Sequence, residues 1–333
     1  MLLSREQVRG LTLKGANMKE QRSKIAVVGC GNVGSAFAFS LSISGLAREI
    51  VLVDRDLGRA KGECMDLNHG ASFVKPVDIT YAGYEGCKGA DIVVITAGAK
   101  QKPGETRIDL TGRNADIFKE MIPEITKYAG DAIILVVTNP MDVLTYVTLK
   151  ISGLPSNKVI GSGTVLDSSR FRYLIAEHCH VDPRNVHAYI IGEHGDTELP
   201  VWSNANIGGM ILTDYCPVCN KNCDYGKELG GIFEEVKTAA YKIVELKGAT
   251  YYAVALALVR IVEAILRDEN SVLPVSTLID DYYGIKDVCL SIPSIVNRNG
   301  VDKFLKIKLS ALEQKQFKHS AETLKNVIRT IKL

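Results

Sequence analysis

A glycine-rich turn after an apolar run places the strongest limit on how this chain folds. The run Lys24–Gly29 (KIAVVG) is typical of a strand buried on both faces of a parallel sheet. The turn GCGNVG follows, and small and apolar residues then recur at helical spacing over Val33–Leu46. Gly29 allows the tight turn, Gly31 lets the backbone approach a pyrophosphate, and Gly34 lets helix and strand pack closely. The pattern predicts a dinucleotide site at a helix N-terminus, where the helix dipole favours phosphate.

The next apolar run ends in an acid at the position that selects the dinucleotide. Glu49–Asp54 (EIVLVD) is predicted to be a second strand, and Asp54 follows Gly34 by 20 residues. A carboxylate there accepts hydrogen bonds from both ribose hydroxyls of NAD and repels the 2′-phosphate of NADP. The sequence therefore predicts NAD as the cofactor. A glycine turn with a capping aspartate is the alternative interpretation, and the register of strand, turn, helix, strand and acid argues against it.

Further apolar runs alternate with helical patterns through the first half of the chain. A helical pattern covers Gly58–His69, and the apolar runs around it are short. Strands that alternate with helices predict an α/β fold, a Rossmann-type doubly wound parallel sheet. The further predicted strands are Asp78–Tyr81, Asp91–Thr96, Ala132–Thr138 and Lys158–Gly161.

The regular alternation stops after about residue 162. We expect a loose N-terminal extension at 1–22, an NAD-binding Rossmann domain at 23–162 and a second, α+β substrate-binding domain at 163–333. No Pro/Gly/Ser-rich linker separates the two domains, so we expect them to pack tightly. The elements predicted in the second domain are a helix at Val165–His178, a strand at Val186–Ile191, strand-like segments near 200–212, helices at Gly226–Leu246 and Tyr251–Arg267, a strand-rich stretch at Ser271–Val301 and a last helix at Ser310–Ile331.

Composition narrows the class of protein. Of the 333 residues, 46% are hydrophobic and 23% are charged, as in a globular chain with a sizeable core. A formal net charge of +2 offers no strong basic field, so nucleic-acid binding is not expected as the main task. The longest apolar runs fall short of the roughly 20 residues that a membrane span needs. The start MLLSREQVRG cannot form the apolar core of a secretory signal, and eight cysteines without such a signal should stay reduced, so we expect a cytoplasmic protein.

Six stretches of the chain, in order and at the expected separations, resemble the L-lactate and L-malate dehydrogenase family. The resemblance runs from about Lys24 to the C-terminus. It implies an oxidoreductase that binds NAD first and then closes a loop over its substrate. The stretches are GCGNVG, AGAKQKPGETRIDL, VVTNPMDV, GSGTVLDSSRFR, IGEHGDTELPVW and ELKGATYYAVA.

The resemblance assigns the chemistry to four charged residues. Ketone reduction needs a hydride on carbon and a proton on oxygen, and histidine donates protons near neutral pH. His194 is implied to be the proton donor and acceptor, and Asp167 to orient its ring and stabilise the imidazolium. Arg107 is implied to polarise the substrate carbonyl, and Arg170 to hold the substrate carboxylate with a two-pronged guanidinium contact. Each residue taken singly has an alternative as a turn, cap or surface residue, but the whole set converges.

The resemblance also assigns residues that bind substrate and cofactor. Asn139 is implied to bond the substrate and to help position the nicotinamide ring, and the bond between Asn139 and Pro140 is a candidate cis peptide. Thr250 is implied to line the substrate pocket. The residues implied to contact NAD are Gly29, Gly31, Val33, Gly34, Asp54, Arg59, Tyr84, Gly98, Ala99 and Asn139.

One position in the closing loop separates the two activities of the family. Malate dehydrogenases typically carry arginine there, which pairs with the second carboxylate of oxaloacetate, and lactate dehydrogenases carry glutamine. Aligning the loop on PGETR puts Gln101 at that position, which favours pyruvate and the L-isomer of lactate. Lys100 and Lys102 flank it, so a one-residue shift would favour malate. An L-malate or other L-2-hydroxy acid dehydrogenase is thus the nearest alternative, and a non-catalytic NAD-binding sensor is an alternative of another class.

Two basic residues point to an effector site. In bacterial lactate dehydrogenases regulated by fructose 1,6-bisphosphate, an Arg and a His at the positions of Arg172 and His187 bind the sugar phosphates on a two-fold axis between subunits. The resemblance therefore implies fructose 1,6-bisphosphate as effector and a homotetramer as the assembly, with a dimer as the alternative. A surface ion pair and a strand histidine are the other interpretation of these two residues.

A cysteine-rich loop departs from the family pattern. Cys216, Cys219 and Cys223 have a spacing compatible with zinc, but a clear fourth ligand is lacking nearby. We expect a solvated loop and no metal.

Overall fold

The computed structural model describes residues 23–99, 107–215 and 225–332, and these form one layered α/β structure. The predicted extension at 1–22 and the cysteines at 216, 219 and 223 lie outside the described residues. The strands are β1 Lys24–Val28, β2 Glu49–Val53, β3 Asp78–Ala82, β4 Ile92–Ile95, β5 Ile133–Val136, β6 Val159–Gly161, β7 Val186–His187, β8 Ile190–Ile191, β9 Leu199–Pro200, β10 Asn206–Ile207, β11 Met210–Ile211, β12 Ser271–Tyr282, β13 Ile285–Asn297 and β14 Gly300–Phe304. The helices are α1 Asn32–Ser44, α2 Leu57–His69, α3 Arg107–Tyr128, α4 Met141–Ser152, α5 Val165–Cys179, α6 Leu212–Tyr215, α7 Tyr225–Lys247, α8 Tyr252–Leu266 and α9 Ala311–Arg329.

Six parallel strands form the doubly wound sheet that the sequence predicts. Their spatial order is β3-β2-β1-β4-β5-β6, and each neighbouring pair is parallel. The chain therefore winds outward from β1 in one direction and from β4 in the other. A crevice opens at the carboxyl ends of the strands where the winding reverses, and this is where open α/β sheets bind ligands. The glycine turn follows β1 directly, so it lies at that crevice.

Alternate residues of the parallel strands enter two cores on opposite faces of the sheet. Ala26 and Val28 of β1 join the core that contains α3, α4 and α9, whereas Ile25 and Val27 join the core that contains α1 and α8. All four side chains are almost fully buried. Strands covered on both faces read as continuous apolar runs, which is why β1 was predictable from sequence.

The second half of the chain is built onto the first. Ser276 of β12 pairs antiparallel with Gly161 of β6, and β13 and β14 extend the sheet further, so nine strands of the described chain form one sheet. Helix α8 packs across α1, because Leu258 and Phe37 share one core. A third core lies among α5, α7 and the short strands. The tight packing expected between the two halves is confirmed by this shared sheet and core.

One predicted strand was wrong. The segment Val186–Ile191 is two short strands in different sheets, because β7 pairs with β10 and β8 pairs with β9. The break falls at Ala188 and Tyr189, between the two pairings. A run of alternating apolar residues does not reveal which partner each half of it will find.

Among the helices within 23–99, 107–215 and 225–332, none combines the length and the apolar character that a bilayer crossing requires.

Candidate active site

The glycine turn after β1 has the geometry that a pyrophosphate site needs. Gly29 has a φ of +101°, and a Cβ there would lie 2.5 Å from the backbone nitrogen of Ala97. A Cβ on Gly34 would collide with the carbonyl oxygen of Gly29. A Cβ on Gly31 would meet no protein atom within 4 Å. Gly29 and Gly34 are therefore required by the fold, whereas the space beside Gly31, at the start of α1, is open to a ligand.

Asp54 lies beside this turn. Its carboxylate accepts hydrogen bonds from the backbone N–H of Cys30, at 2.7 Å, and from that of Asp56, at 2.9 Å. The acid that the sequence assigned to the ribose thus also fixes the glycine turn against the end of β2. An ionised carboxylate has about four acceptor positions, so two remain for ribose hydroxyls. This arrangement fits an adenosine dinucleotide without a 2′-phosphate.

The other residues implied to contact NAD lie along the same edge of the sheet. Val33 stands in the first turn of α1 and Arg59 is exposed in the first turns of α2. Tyr84 is half-buried, and burial raises the pKa of its phenol, so it is neutral across the physiological range. Gly98 and Ala99 follow β4, at the carboxyl end of that strand.

A buried asparagine that the sequence did not single out connects this edge. The side chain of Asn114, on α3, accepts a hydrogen bond from the backbone N–H of Ala99 and donates one to the carbonyl oxygen of Asn139, both at 2.8 Å. The bond between Asn139 and Pro140 is cis, as predicted. Asn114 therefore fixes the loops after β4 and β5 relative to each other. A lone asparagine in a helical pattern carries no motif, so sequence gave no signal for it.

The candidate catalytic pair is formed where α5 meets the loop after β8. Ser168 and Thr164 at the start of α5 hydrogen-bond to the backbone of Ile190, which brings Asp167 under that loop. Nδ1 of His194 lies 2.6 Å from Oδ2 of Asp167. Asp167 is 2% exposed, and the His194 side chain is 26% exposed, so the far side of the ring is open to a ligand.

Arg170 completes this cluster from the next turn of α5. Its guanidinium donates to Oδ1 of Asp167 at 2.8 Å, and no other hydrogen bond joins it to a side chain within the described ranges. Both oxygens of Asp167 are thus engaged by cations, one by the imidazole and one by Arg170. Guanidinium carries five N–H donors, so Arg170 retains donors for a substrate carboxylate.

The charges in this cluster set the protonation of the imidazole. The carboxylate of Asp167 raises the pKa of His194 to about 9, against the opposing effect of burial. Burial acts to raise the pKa of Asp167, but the charge of His194, their hydrogen bond and the charge of Arg170 outweigh it, so the net shift is downward. At neutral pH the pair is therefore an imidazolium and a carboxylate, which can donate a proton to a developing alkoxide.

A third acid, Glu198, lies against the pair. One ligand-type atom each of Asp167, His194 and Glu198 falls within 4.8 Å of the other two. Burial, and then the negative charge of Asp167, raise the pKa of Glu198 to about 8, so it is protonated at neutral pH. Because Asp167 and His194 already bond each other and Glu198 holds its proton, the cluster favours acid–base chemistry over metal binding. Glu198 lies in the stretch IGEHGDTELPVW, but nothing in the sequence pattern assigns it a role.

Comparison with known proteins identifies the family. Residues 23–161 match the family described as lactate/malate dehydrogenase, NAD binding domain, and residues 164–332 match lactate/malate dehydrogenase, alpha/beta C-terminal domain. The chain belongs to the lactate/malate dehydrogenase family.

Relatives and solved structures agree with this assignment. The L-lactate dehydrogenase of Acetivibrio thermocellus is 58% identical over 308 residues, which are 92% of this chain and 97% of that protein. That of Thermoanaerobacterium saccharolyticum is 55% identical, over 93% of this chain and 99% of its own. The crystal structure of minor L-lactate dehydrogenase from Enterococcus mundtii in the ligands-bound form superposes with a TM-score of 0.90 at 40% identity, covering 94% of this chain and 99% of that one.

Family membership settles the cofactor. The first half of the chain is the NAD binding domain of a lactate/malate dehydrogenase, and the open space at Gly31 and the acid at Asp54 fit that dinucleotide. The cofactor is NAD, as the sequence predicts.

The remaining implied residues of this dehydrogenase lie between α7 and α8, at the start of α3 or outside the described part. Thr250 sits between α7 and α8 and is half-buried. Arg107 is the first residue of α3, and its side chain lies outside the described set. Gln101, Lys100 and Lys102 lie outside the described residues altogether.

The two implied effector residues lie on two different elements, Arg172 on α5 and His187 on β7. Arg172 donates from Nε to the carbonyl oxygen of Ala188 at 2.9 Å, and its guanidinium stacks over the ring of Tyr189 at 5.3 Å. Burial lowers the pKa of Arg172, which stays cationic. His187 is exposed on β7, one residue before Ala188. Arg172 therefore contacts the backbone of the residue that directly follows His187.

Proposed function

We propose that this dehydrogenase is an NAD-dependent L-lactate dehydrogenase, which reversibly reduces pyruvate to L-lactate. The observation that carries the proposal is the His194–Asp167 pair with Arg170 beside it, next to the crevice of an NAD-binding sheet. Relatives that are 53–58% identical over nearly the whole chain bear the name L-lactate dehydrogenase, which supports the same reading.

The residues divide the work as follows. Arg170 binds the substrate carboxylate through the donors that Asp167 leaves unused, which orients the ketone. His194 then donates its Nε2 proton to the carbonyl oxygen, and Asp167 stabilises the imidazolium before the transfer and orients the neutral ring after it. NADH, when bound, supplies the hydride that reaches the carbonyl carbon. In the reverse direction, neutral His194 accepts the proton of the lactate hydroxyl.

Further residues complete the proposed substrate site. Arg107 polarises the carbonyl as the loop closes, Asn139 bonds the substrate, and Thr250 lines the pocket. Gln101 faces the methyl group of pyruvate. Because Gln101 is uncharged, a second carboxylate in the closed site would stay unpaired, and this cost excludes oxaloacetate.

The experiment is NADH oxidation with pyruvate and with oxaloacetate, in the wild type and in Gln101→Arg. We expect the wild type to prefer pyruvate and the variant to shift toward oxaloacetate by about 10²-fold or more in the ratio of kcat/KM. A wild type that prefers oxaloacetate would show a malate dehydrogenase with a flanking lysine as discriminator. NADH binding without turnover of either acid would favour the NAD-binding sensor.

We also propose that fructose 1,6-bisphosphate binds at Arg172 and His187, where two subunits of a homotetramer supply four cationic groups. The stacking of Arg172 on Tyr189 supports a preformed anion site. Exposed apolar side chains on α1 and α8, such as Phe39 and Leu256, support burial against other subunits.

The effector proposal is tested by pyruvate saturation curves and by the mass in solution, with and without the bisphosphate. We expect the bisphosphate to lower the half-saturating pyruvate concentration and to favour the tetramer in the wild type. Arg172→Leu should abolish both effects. Arg184→Leu, which removes an exposed arginine bonded to Asp182 outside the site, is the matched control. No response in the wild type removes the effector from the proposal and leaves the catalytic assignment standing.

Two further assignments belong to the proposal. The division into an NAD-binding domain at 23–162 and a catalytic domain at 163–333 is supported by the two family matches, 23–161 and 164–332. The cytoplasm as location is supported by the buried, reduced thiols of Cys30, Cys64, Cys87 and Cys289, which suit a reducing compartment.

A further inference from the structure

A buried carboxyl group that has no assigned role supports the loop carrying His194. Asp142 lies in the first turn of α4, three residues after Asn139, and is 2% exposed. Its Oδ2 accepts a hydrogen bond from the backbone N–H of His194 at 2.7 Å. Its Oδ1 accepts one from the hydroxyl of Ser276, on β12, at 2.6 Å. One side chain thus connects the start of α4, the loop after β8 and a strand of the second half of the chain.

The bridge that Asp142 forms fixes the position of the His194 backbone and also places a carboxyl group beside the imidazole. The loop after β8 carries the proposed proton donor, and the hydrogen bond is made by that residue's own backbone rather than by a neighbour. Each of the two carboxylate oxygens accepts one hydrogen bond, so both oxygens take part in the bridge. A buried polar group held in this way resists displacement, because breaking either contact leaves an unpaired buried atom.

The charges around Asp142 come from several elements. His194 approaches from the loop after β8 together with Glu193, and the thiol of Cys289 faces Asp142 from β13. His194 itself is faced by Asp167 from α5, by Glu198 and by Asp142. Burial raises the pKa of Asp142 to about 7, and the hydrogen bonds from Ser276 and from the His194 backbone oppose that rise. The effect of Asp142 on His194 is to raise the pKa of the imidazole.

We propose that Asp142 is a positioning residue for His194. Asp142 holds the main chain of His194 in register with Asp167 and adds a second negative charge beside the imidazolium. The inference rests on the proposed function, because it assigns Asp142 a part in the proton transfer by His194. It does not place Asp142 in contact with substrate or cofactor.

Asp142→Asn tests the proposal because it keeps the size of the side chain. An amide has one acceptor oxygen, so either the His194 N–H or the Ser276 hydroxyl loses its acceptor, and the charge is removed. We expect kcat for pyruvate reduction to fall about 10-fold to 100-fold, with the KM for NADH unchanged. The alkaline limb of the kcat/KM profile should move to lower pH, because the imidazolium loses one of its stabilising charges.

Two further variants separate positioning from general stability. Ser276→Ala removes one donor to Asp142 but keeps the carboxyl group and its bond to His194, so the pKa of Asp142 rises and the alkaline limb should move in the same direction by less. Asp287→Asn removes a carboxylate that bonds Tyr146 and Lys150 on the same helix, remote from His194, and should leave the limb in place. If Asp142→Asn does not fold, the Ser276→Ala comparison still decides.

A measurement without turnover keeps this test apart from the proposed function. The pKa of His194 is followed by NMR in the absence of substrate, with the signal assigned by its loss in His194→Gln among the six histidines of the chain. A lower pKa in Asp142→Asn than in wild type supports the proposal even if pyruvate proves not to be the substrate. An unchanged pKa and an unchanged alkaline limb, with activity lost in parallel with thermal stability, would overturn it.

Discussion

The protonation of a single imidazole determines the direction in which this site works best. Asp167 raises the pKa of His194 to about 9, so the ring is charged at neutral pH before any substrate binds. A site that reduces a ketone needs that proton, whereas the oxidation of a hydroxy acid needs the neutral ring. The structure therefore favours pyruvate reduction at neutral pH and a gain in lactate oxidation as the pH approaches 9.

Asp167→Asn should weaken this preference. The negative charge is the main cause that raises the pKa of His194, so its removal lowers that pKa and the proton is lost at lower pH. We expect kcat/KM for pyruvate to fall about 10²-fold to 10⁴-fold, with its alkaline limb moved to lower pH. The measurement is a pH profile of NADH oxidation at fixed ionic strength. An alkaline limb at the wild-type pH would contradict the role given to Asp167.

At the scale of elements, the glycine turn meets two requirements, the packing of α1 on β1 and the access of a ligand to the start of α1, with different glycines. Gly34 lies against the carbonyl oxygen of Gly29, so it serves the packing of α1 on β1. Gly31 has a φ of −78°, which any residue adopts, and open space in front of it. The fold therefore needs Gly34 for stability, and the ligand needs Gly31 for access.

Two substitutions in this turn should have opposite effects. Gly31→Ala is expected to keep the free energy of unfolding within about 1 kcal/mol of wild type, while NADH affinity falls because the methyl group occupies ligand space. Gly34→Ala is expected to lose about 1–3 kcal/mol or more of stability through overpacking. Denaturant unfolding and NADH fluorescence titration measure the two quantities on the same samples. Equal NADH affinity in Gly31→Ala and wild type would contradict the assignment.

Apolar strands and motif residues could be predicted from the sequence, whereas buried polar residues and long-range strand pairings could not. β1, β2 and β4 were predictable because strands buried on both faces are apolar throughout, and His194, Asp167 and Arg170 because motifs carried them. Asn114, Asp142 and Glu198 were not, since a polar residue in a helical or loop pattern reads as exposed until its buried partner is known. The pairing of β12 with β6 joins positions over a hundred residues apart, and no local pattern encodes it.

At the scale of the whole molecule, the shared sheet and core make the two halves one cooperative unit. β12 continues the sheet beyond β6, and Leu258 of α8 lies in the core with Phe37 of α1. Each half would expose fully buried apolar surface if the other unfolded. We therefore expect a single unfolding transition in spite of the two functional parts.

Trp202, the one tryptophan of the chain, allows this to be tested from one side. It packs edge-on against Phe171 in the third core, far along the chain from the glycine turn, so its fluorescence reports on the second half. Phe37→Ala, in α1, should cost about 3–5 kcal/mol and lower the midpoint of the Trp202 transition together with that of the far-ultraviolet circular dichroism. NADH, which binds the first half, should raise both midpoints equally. If neither Phe37→Ala nor NADH changes the midpoint of the Trp202 transition, the two halves unfold independently in spite of the sheet they share.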